Sequence, residues 1–155
     1  MRKILLALVV LLASTAMLSA QTFQKGDNVA SLNVGVLGGY GIPVTLGYEH
    51  GIYDFNEDMG IGLGANIGLG SATSGTSNVL LTVDGRYHYV ALASFDLYAG
   101  LALGANIACA KDATVSGFLW GIYVGSRYYF NDWIGANLQV GYGLAAINLG
   151  VCFKF

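Results

Sequence analysis

Charge is scarce in this sequence. Only 10% of its 155 residues are Asp, Glu, Lys or Arg, against about 25% in an average globular domain, too few to solvate the whole surface of a soluble protein. Long hydrophobic runs are missing as well. Although 55% of the residues are hydrophobic, the longest unbroken apolar run is residues 4–13, about half of what a membrane-spanning helix requires. Proline occurs once and cysteine twice, beside 23 glycines. A chain this apolar that lacks helical spans has one other way to satisfy every backbone polar group in lipid, the closed β-barrel.

The N-terminus has the layout of a secretory signal peptide, residues 1–20: basic Arg2 and Lys3, the apolar run 4–13, then a small-residue stretch ending at Ala20. Leu18 departs from the usual small residue three positions before the cut, and no cysteine follows the run, so a lipid anchor is not expected. An uncleaved helical anchor is the alternative, and the run is too short for it. Removal of residues 1–20 leaves 21–155 with five Lys/Arg and nine Asp/Glu, a net charge of 5 − 9 = −4. That balance is no footprint for nucleic acid.

Apolar residues recur at every second position in eight stretches, the period of a β-strand. Residues 95–107 alternate without a break: Phe95, Leu97, Ala99, Leu101, Leu103, Ala105 and Ile107 oppose Asp96, Tyr98, Gly100, Ala102, Gly104 and Asn106. Residues 28–37, 42–53, 59–70, 78–89, 117–130, 133–142 and 146–155 supply the others. Each is long enough to cross a bilayer at a tilt. Compact turns at 54–58, around Ser94 and at 131–132 alternate with loops at 38–41, 72–77, 110–116 and 143–145. An even strand number with short turns on the side of the termini is the outer-membrane layout, and it places both termini in the periplasm. The expected fold is all-β, a transmembrane antiparallel eight-stranded up-and-down β-barrel over 21–155.

The non-apolar face carries mostly Gly, Asn and Thr, so the apolar face is expected to look outward at lipid. A soluble barrel with the reverse orientation is the alternative. Parity then turns Glu49, Asp84, Arg86, Asp96, Arg127 and Lys154 inward, all in the half near the termini, with His88 beside them. An eight-stranded barrel is only just wide enough for side chains to fill, and charges in such an interior need partners. These six are therefore expected to form a balanced ion-pair cluster that plugs the lumen, with the glycines of 59–70 making room for Arg86. The alternative is a wet cavity in which they are solvated without defined partners. Tyr48, Tyr87, Tyr89, Phe95, Tyr128, Phe130, Trp133, Phe153 and Phe155 form one expected aromatic girdle, and Tyr40, Phe118, Trp120 and Tyr142 the other. Cys109 and Cys152 fall at opposite ends of the barrel, too far apart for a disulfide.

The last stretch, GIYVGSRYYFNDWIGANLQVGYGLAAINLGVCFKF, resembles the outer-membrane β-barrel domain family of small OmpA/OmpX-like proteins. The resemblance rests on Arg127 to Phe130, the Asn131-Asp132 turn, Gly141-Tyr142 and the alternating Leu149, Val151, Phe153 and Phe155. It implies that Phe153 and Phe155 belong to a C-terminal assembly signal read by the barrel-assembly machinery, and that outer-membrane lipid and lipopolysaccharide surround a monomer. The short loops depart from OmpX-like proteins. No zinc spacing, phosphate loop or nucleophile elbow is present, and the Gly-x-Gly pairs lie within strands, without the helix that dinucleotide binding needs. His88 reads as a structural residue beside Arg86 and Asp84, and His50 as an interfacial one, so no catalytic residue, metal or cofactor is expected. The favoured role is structural or surface-interacting, with a narrow pore for small solutes as the alternative and a lipid-modifying enzyme behind it.

Overall fold

The two-residue alternation resolves into eight strands: β1 Asn28–Val36, β2 Val44–Asn56, β3 Met59–Ser71, β4 Ser77–Leu92, β5 Phe95–Ala110, β6 Ala113–Tyr129, β7 Ile134–Tyr142 and β8 Ile147–Lys154. They come from a computed structural model that describes residues 23–71, 77–92, 94–110 and 113–155. The expected signal peptide and most of the loop at 72–77 lie outside the described residues. Each strand pairs antiparallel with the next, and β8 returns to pair with β1, so the sheet closes into an eight-stranded barrel. The seam is a ladder from Val29↔Lys154 to Val36↔Ile147, continued by a reciprocal pair of bonds. Phe155 donates its N–H to the Asn28 carbonyl at 2.9 Å, and Asn28 donates to the Phe155 carbonyl at 3.1 Å.

Strand boundaries differ most in β4, β5 and β6, which run to 16, 16 and 17 residues. The loop-side extensions of β5 and β6, such as Ala108 to Ala110 and Thr114 to Ser116, are made mostly of small residues with little contrast between faces, whereas β4 gains Val90 to Leu92 at its turn end, where a register shift against β5 interrupts the alternation. β2 continues past Tyr53 to Asn56 because register shifts after Gly51 and after Asp54 let it keep pairing with β3.

The burial pattern fixes which face is which. Along β4, Asn78, Leu80, Thr82, Asp84, Arg86 and His88 are buried, whereas Leu81, Val83, Tyr87 and Tyr89 are exposed. The same inversion holds around the barrel, where Leu46, Leu63, Ile67, Leu101, Leu103, Ile122, Val140 and Leu149 all face outward. No water-soluble barrel presents such a surface. At one rim Trp120 lies tilted against Tyr142 with ring centroids 5.0 Å apart, and at the other Trp133 lies on Phe153 and Tyr128 meets Phe130. These pairs sit in the two bands expected of interfacial girdles.

Inside, aromatic rings replace what glycines omit. Tyr98 of β5 lies opposite Gly125 of β6, and Tyr123 of β6 opposite Gly100 of β5. A Cβ at either glycine would overlap the facing tyrosine ring. The two reciprocal pairs let large rings cross a narrow lumen.

Candidate functional site: the buried ion-pair cluster

Glu49 on β2 is the hub of the interior. Its Oε2 accepts from Arg86 Nη1 at 2.6 Å and also from Arg127 Nη2, while Oε1 lies 2.6 Å from His88 Nε2. Arg86 reaches onward through Nη2 to Asp84 Oδ2 at 2.5 Å and through Nε to the Tyr123 hydroxyl at 2.9 Å. That hydroxyl donates in turn to Asp84. The other ring nitrogen of His88, Nδ1, sits 3.0 Å from both carboxylate oxygens of Asp96, and Arg127 Nη1 is 3.8 Å from Asp96 Oδ2. Glu49, His88 and Asp96 are each 0% exposed. Five of the six charged residues expected in the cluster are thus directly linked across β2, β4, β5 and β6, with defined partners rather than solvation in a wet cavity.

Lys154 is the sixth, and the structure places it elsewhere. Its Nζ lies 3.7 Å from Asp27 Oδ2 and 5.4 Å over the Tyr129 ring. The third basic side chain beside the carboxylates is His88. Its two ring nitrogens both face carboxylates, and only a doubly protonated imidazole donates from both. In that form Arg86, Arg127 and His88 balance Glu49, Asp84 and Asp96. The partners of His88 are Glu49 and Asp96 rather than its strand neighbours Arg86 and Asp84. Spacing along β4 could not reveal this, because both partners come from other strands.

The glycines of β3 make room, though chiefly for other residues than Arg86. A Cβ at Gly62 would meet the Glu49 carboxylate and the ring of Phe23, and one at Gly64 would press on Asp84 Oδ1 and Oδ2 at 3.2 and 3.3 Å. Above the cluster the lumen turns to neutral polar groups. Tyr98 donates to Asn137 Oδ1 at 2.7 Å, Asn137 to Asn33 Oδ1 at 2.7 Å, and Asn66 to Asp84 Oδ1 at 2.6 Å. A cavity of about 20 Å³ remains between Asn33, Thr45, Asn137 and Asn148, space on the scale of one water.

Phe23 is the residue sequence reading missed. It precedes β1, belongs to no alternating stretch and carries no pattern, yet it is 3% exposed. Its ring stacks on His88 with centroids 4.2 Å apart, and the Arg127 guanidinium sits 5.8 Å from the ring centre. Cys152 is buried in the same apolar cluster as Phe23, Val29 and Tyr129, and Cys109 is exposed at the other end of the barrel. His50, outward on β2, has Nδ1 3.0 Å from Asn28 Oδ1. Phe153 and Phe155 both face outward beside the seam.

A closed antiparallel eight-stranded barrel, apolar outside and charged within, defines the class as a transmembrane β-barrel. No protein-family model matches the chain, and no curated protein is significantly similar to it. Solved structures are similar to it in fold. The N-terminal β-barrel domain of Pseudomonas aeruginosa OprF superposes with a TM-score of 0.64 at 17% identity, over 86% of this chain and 100% of that one. A de novo designed transmembrane β-barrel gives 0.61 at 14% identity, over 86% and 98%. Ail, the attachment invasion locus protein of Yersinia pestis, gives 0.52 at 14% identity, over 85% and 100%. The resemblance read from the C-terminal stretch holds at the level of fold.

Proposed function

We propose that this chain is an integral outer-membrane β-barrel with a structural or surface-interaction role, no catalysis, and a lumen closed by its own side chains. The observation that carries the closed lumen is the cluster around Glu49, in which Arg86, His88 and Arg127 converge on one buried carboxylate. A salt-bridged section of this kind, in a barrel that side chains can fill, leaves no aqueous path. Outer-membrane placement is supported by the inverted surface and by the likeness to OprF and Ail barrels. In this reading residues 1–20 direct export, both termini face the periplasm, Phe153 and Phe155 are read by the barrel-assembly machinery, and the monomer stands among phospholipid and lipopolysaccharide.

The neutral polar lining above the cluster favours one other reading, a narrow pore for small solutes. Planar-bilayer recording with the purified barrel separates the two. The closed lumen predicts no stable single-channel steps. Reproducible unitary conductance would replace it with the pore.

A further inference from the structure

The segment 23–27 is not part of the sheet, yet it closes one mouth of the barrel. Phe23 points into the lumen, where its ring lies on His88 and under the Arg127 guanidinium. Behind it the chain is pinned to β2 by a short set of bonds. Gly26 donates to the Gly51 carbonyl at 2.8 Å, Gly51 donates to the Asp27 carbonyl at 3.0 Å, and the Lys25 N–H meets Asp54 Oδ1 at 2.9 Å. β2 shifts register against β3 immediately after Gly51, so the ladder is irregular where the segment docks. Gly26 has φ +94° with open space around its Cα, a conformation suited to glycine and to a change of chain direction.

We propose that residues 23–27 form a detachable strap, hinged at Gly26, that seals the mouth at which β8 ends and keeps water from the ion-pair cluster. Two features make it separable from the barrel. Each strand is held by ladders on both sides, whereas the strap has one buried side chain and a few hydrogen bonds, those to Asp27 and Asp54 among exposed groups. Such a segment opens locally without unfolding the rest. What it covers is also the part of the lumen least able to stay dry unaided. Glu49, His88, Asp96 and Arg127 are charged or polar, and all lie at or below 1% exposure with the Phe23 ring in place. The strap therefore adds a second, apolar closure beneath the ionic one. It does not depend on the closed-lumen reading, since a conducting barrel with a strap that still opens and shuts would overturn that reading alone.

Cys152 reports on the strap because it is 0% exposed and shares the Phe23 cluster. With the exposed Cys109 replaced by Ser, maleimide labelling of the folded full-length mature barrel in detergent micelles reads access to Cys152 alone. Phe23→Ala is expected to raise the labelling rate by about tenfold or more, as local opening becomes frequent, while Phe23→Leu keeps it near the parent rate. Asp54→Ala removes an exposed acceptor of the strap, leaves the lumen untouched and is expected to raise the rate to an intermediate value. Heat-modifiable gel migration reports that each variant is folded. If Phe23→Ala does not fold, Asp54→Ala carries the test. Labelling at the parent rate in the folded variants would overturn the strap.

Discussion

Glu49 takes contacts from two guanidinium groups and an imidazole, so neutralising it takes the shared carboxylate from Arg86 and Arg127 and leaves the cluster short of one negative charge in a dry interior. Breaking a buried charge network from one side costs about 3–5 kcal/mol. Glu49→Gln is expected to lower the denaturation midpoint of the refolded barrel by an amount of that size, followed by the fluorescence of Trp120 and Trp133. Glu57→Gln, in an exposed turn, should stay within about 0.5 kcal/mol. Equal midpoints for the two variants would mean that the cluster does not stabilise the barrel. At this scale the sequence shows the inward parity of Glu49, Asp84, Arg86, Asp96 and Arg127 but not their pairing. His88 takes the place expected of Lys154 beside the carboxylates because strands distant in sequence bring their side chains together, and alternation along one strand carries no information about its neighbours. Phe23 was illegible for a different reason: a single aromatic outside any periodic stretch has no pattern to announce its burial.

All eight elements were legible because lipid on one side and a packed lumen on the other impose a strict two-residue alternation, which no turn or helix mimics. Legibility failed at the loop-side ends of β5 and β6, where small residues on both faces erase the contrast, and at the turn end of β4, where a register shift after Val90 breaks the alternation. It failed also in β2 beyond Gly51, where shifts in register keep pairing alive through a stretch that reads as a turn. The short β8 strand closes the sheet against β1 from Val29↔Lys154 to Val36↔Ile147, and Phe155 is exposed at its end. An assembly signal and a stabilising contact make different demands on such a residue. Phe155→Ala is expected to reduce the folded barrel recovered from outer membranes several-fold, while the midpoint of protein refolded from urea changes by less than about 0.5 kcal/mol. Loss of both to the same degree would assign Phe155 to stability instead of recognition.

For the molecule as a whole, scarcity of charge and abundance of apolar residues resolve into a single inversion. The outer wall is aliphatic between two aromatic bands, and the buried charges gather in one cluster, sealed from one mouth by Phe23. A chain folded in this way turns a predominantly apolar wall outward, among the described residues, and pairs its strands all the way round, as lipid requires. The sequence alone carried that orientation, since a non-apolar face of Gly, Asn, Thr and six charges is too sparsely charged to be the solvated outside of a barrel. The central claim is that this closed barrel stands in the outer membrane, and gel migration of the isolated outer-membrane fraction before and after boiling tests it most directly. The account predicts a compact, faster-migrating form that shifts to the full apparent mass on heating. A single form, unchanged by heat or found among soluble proteins, would contradict it.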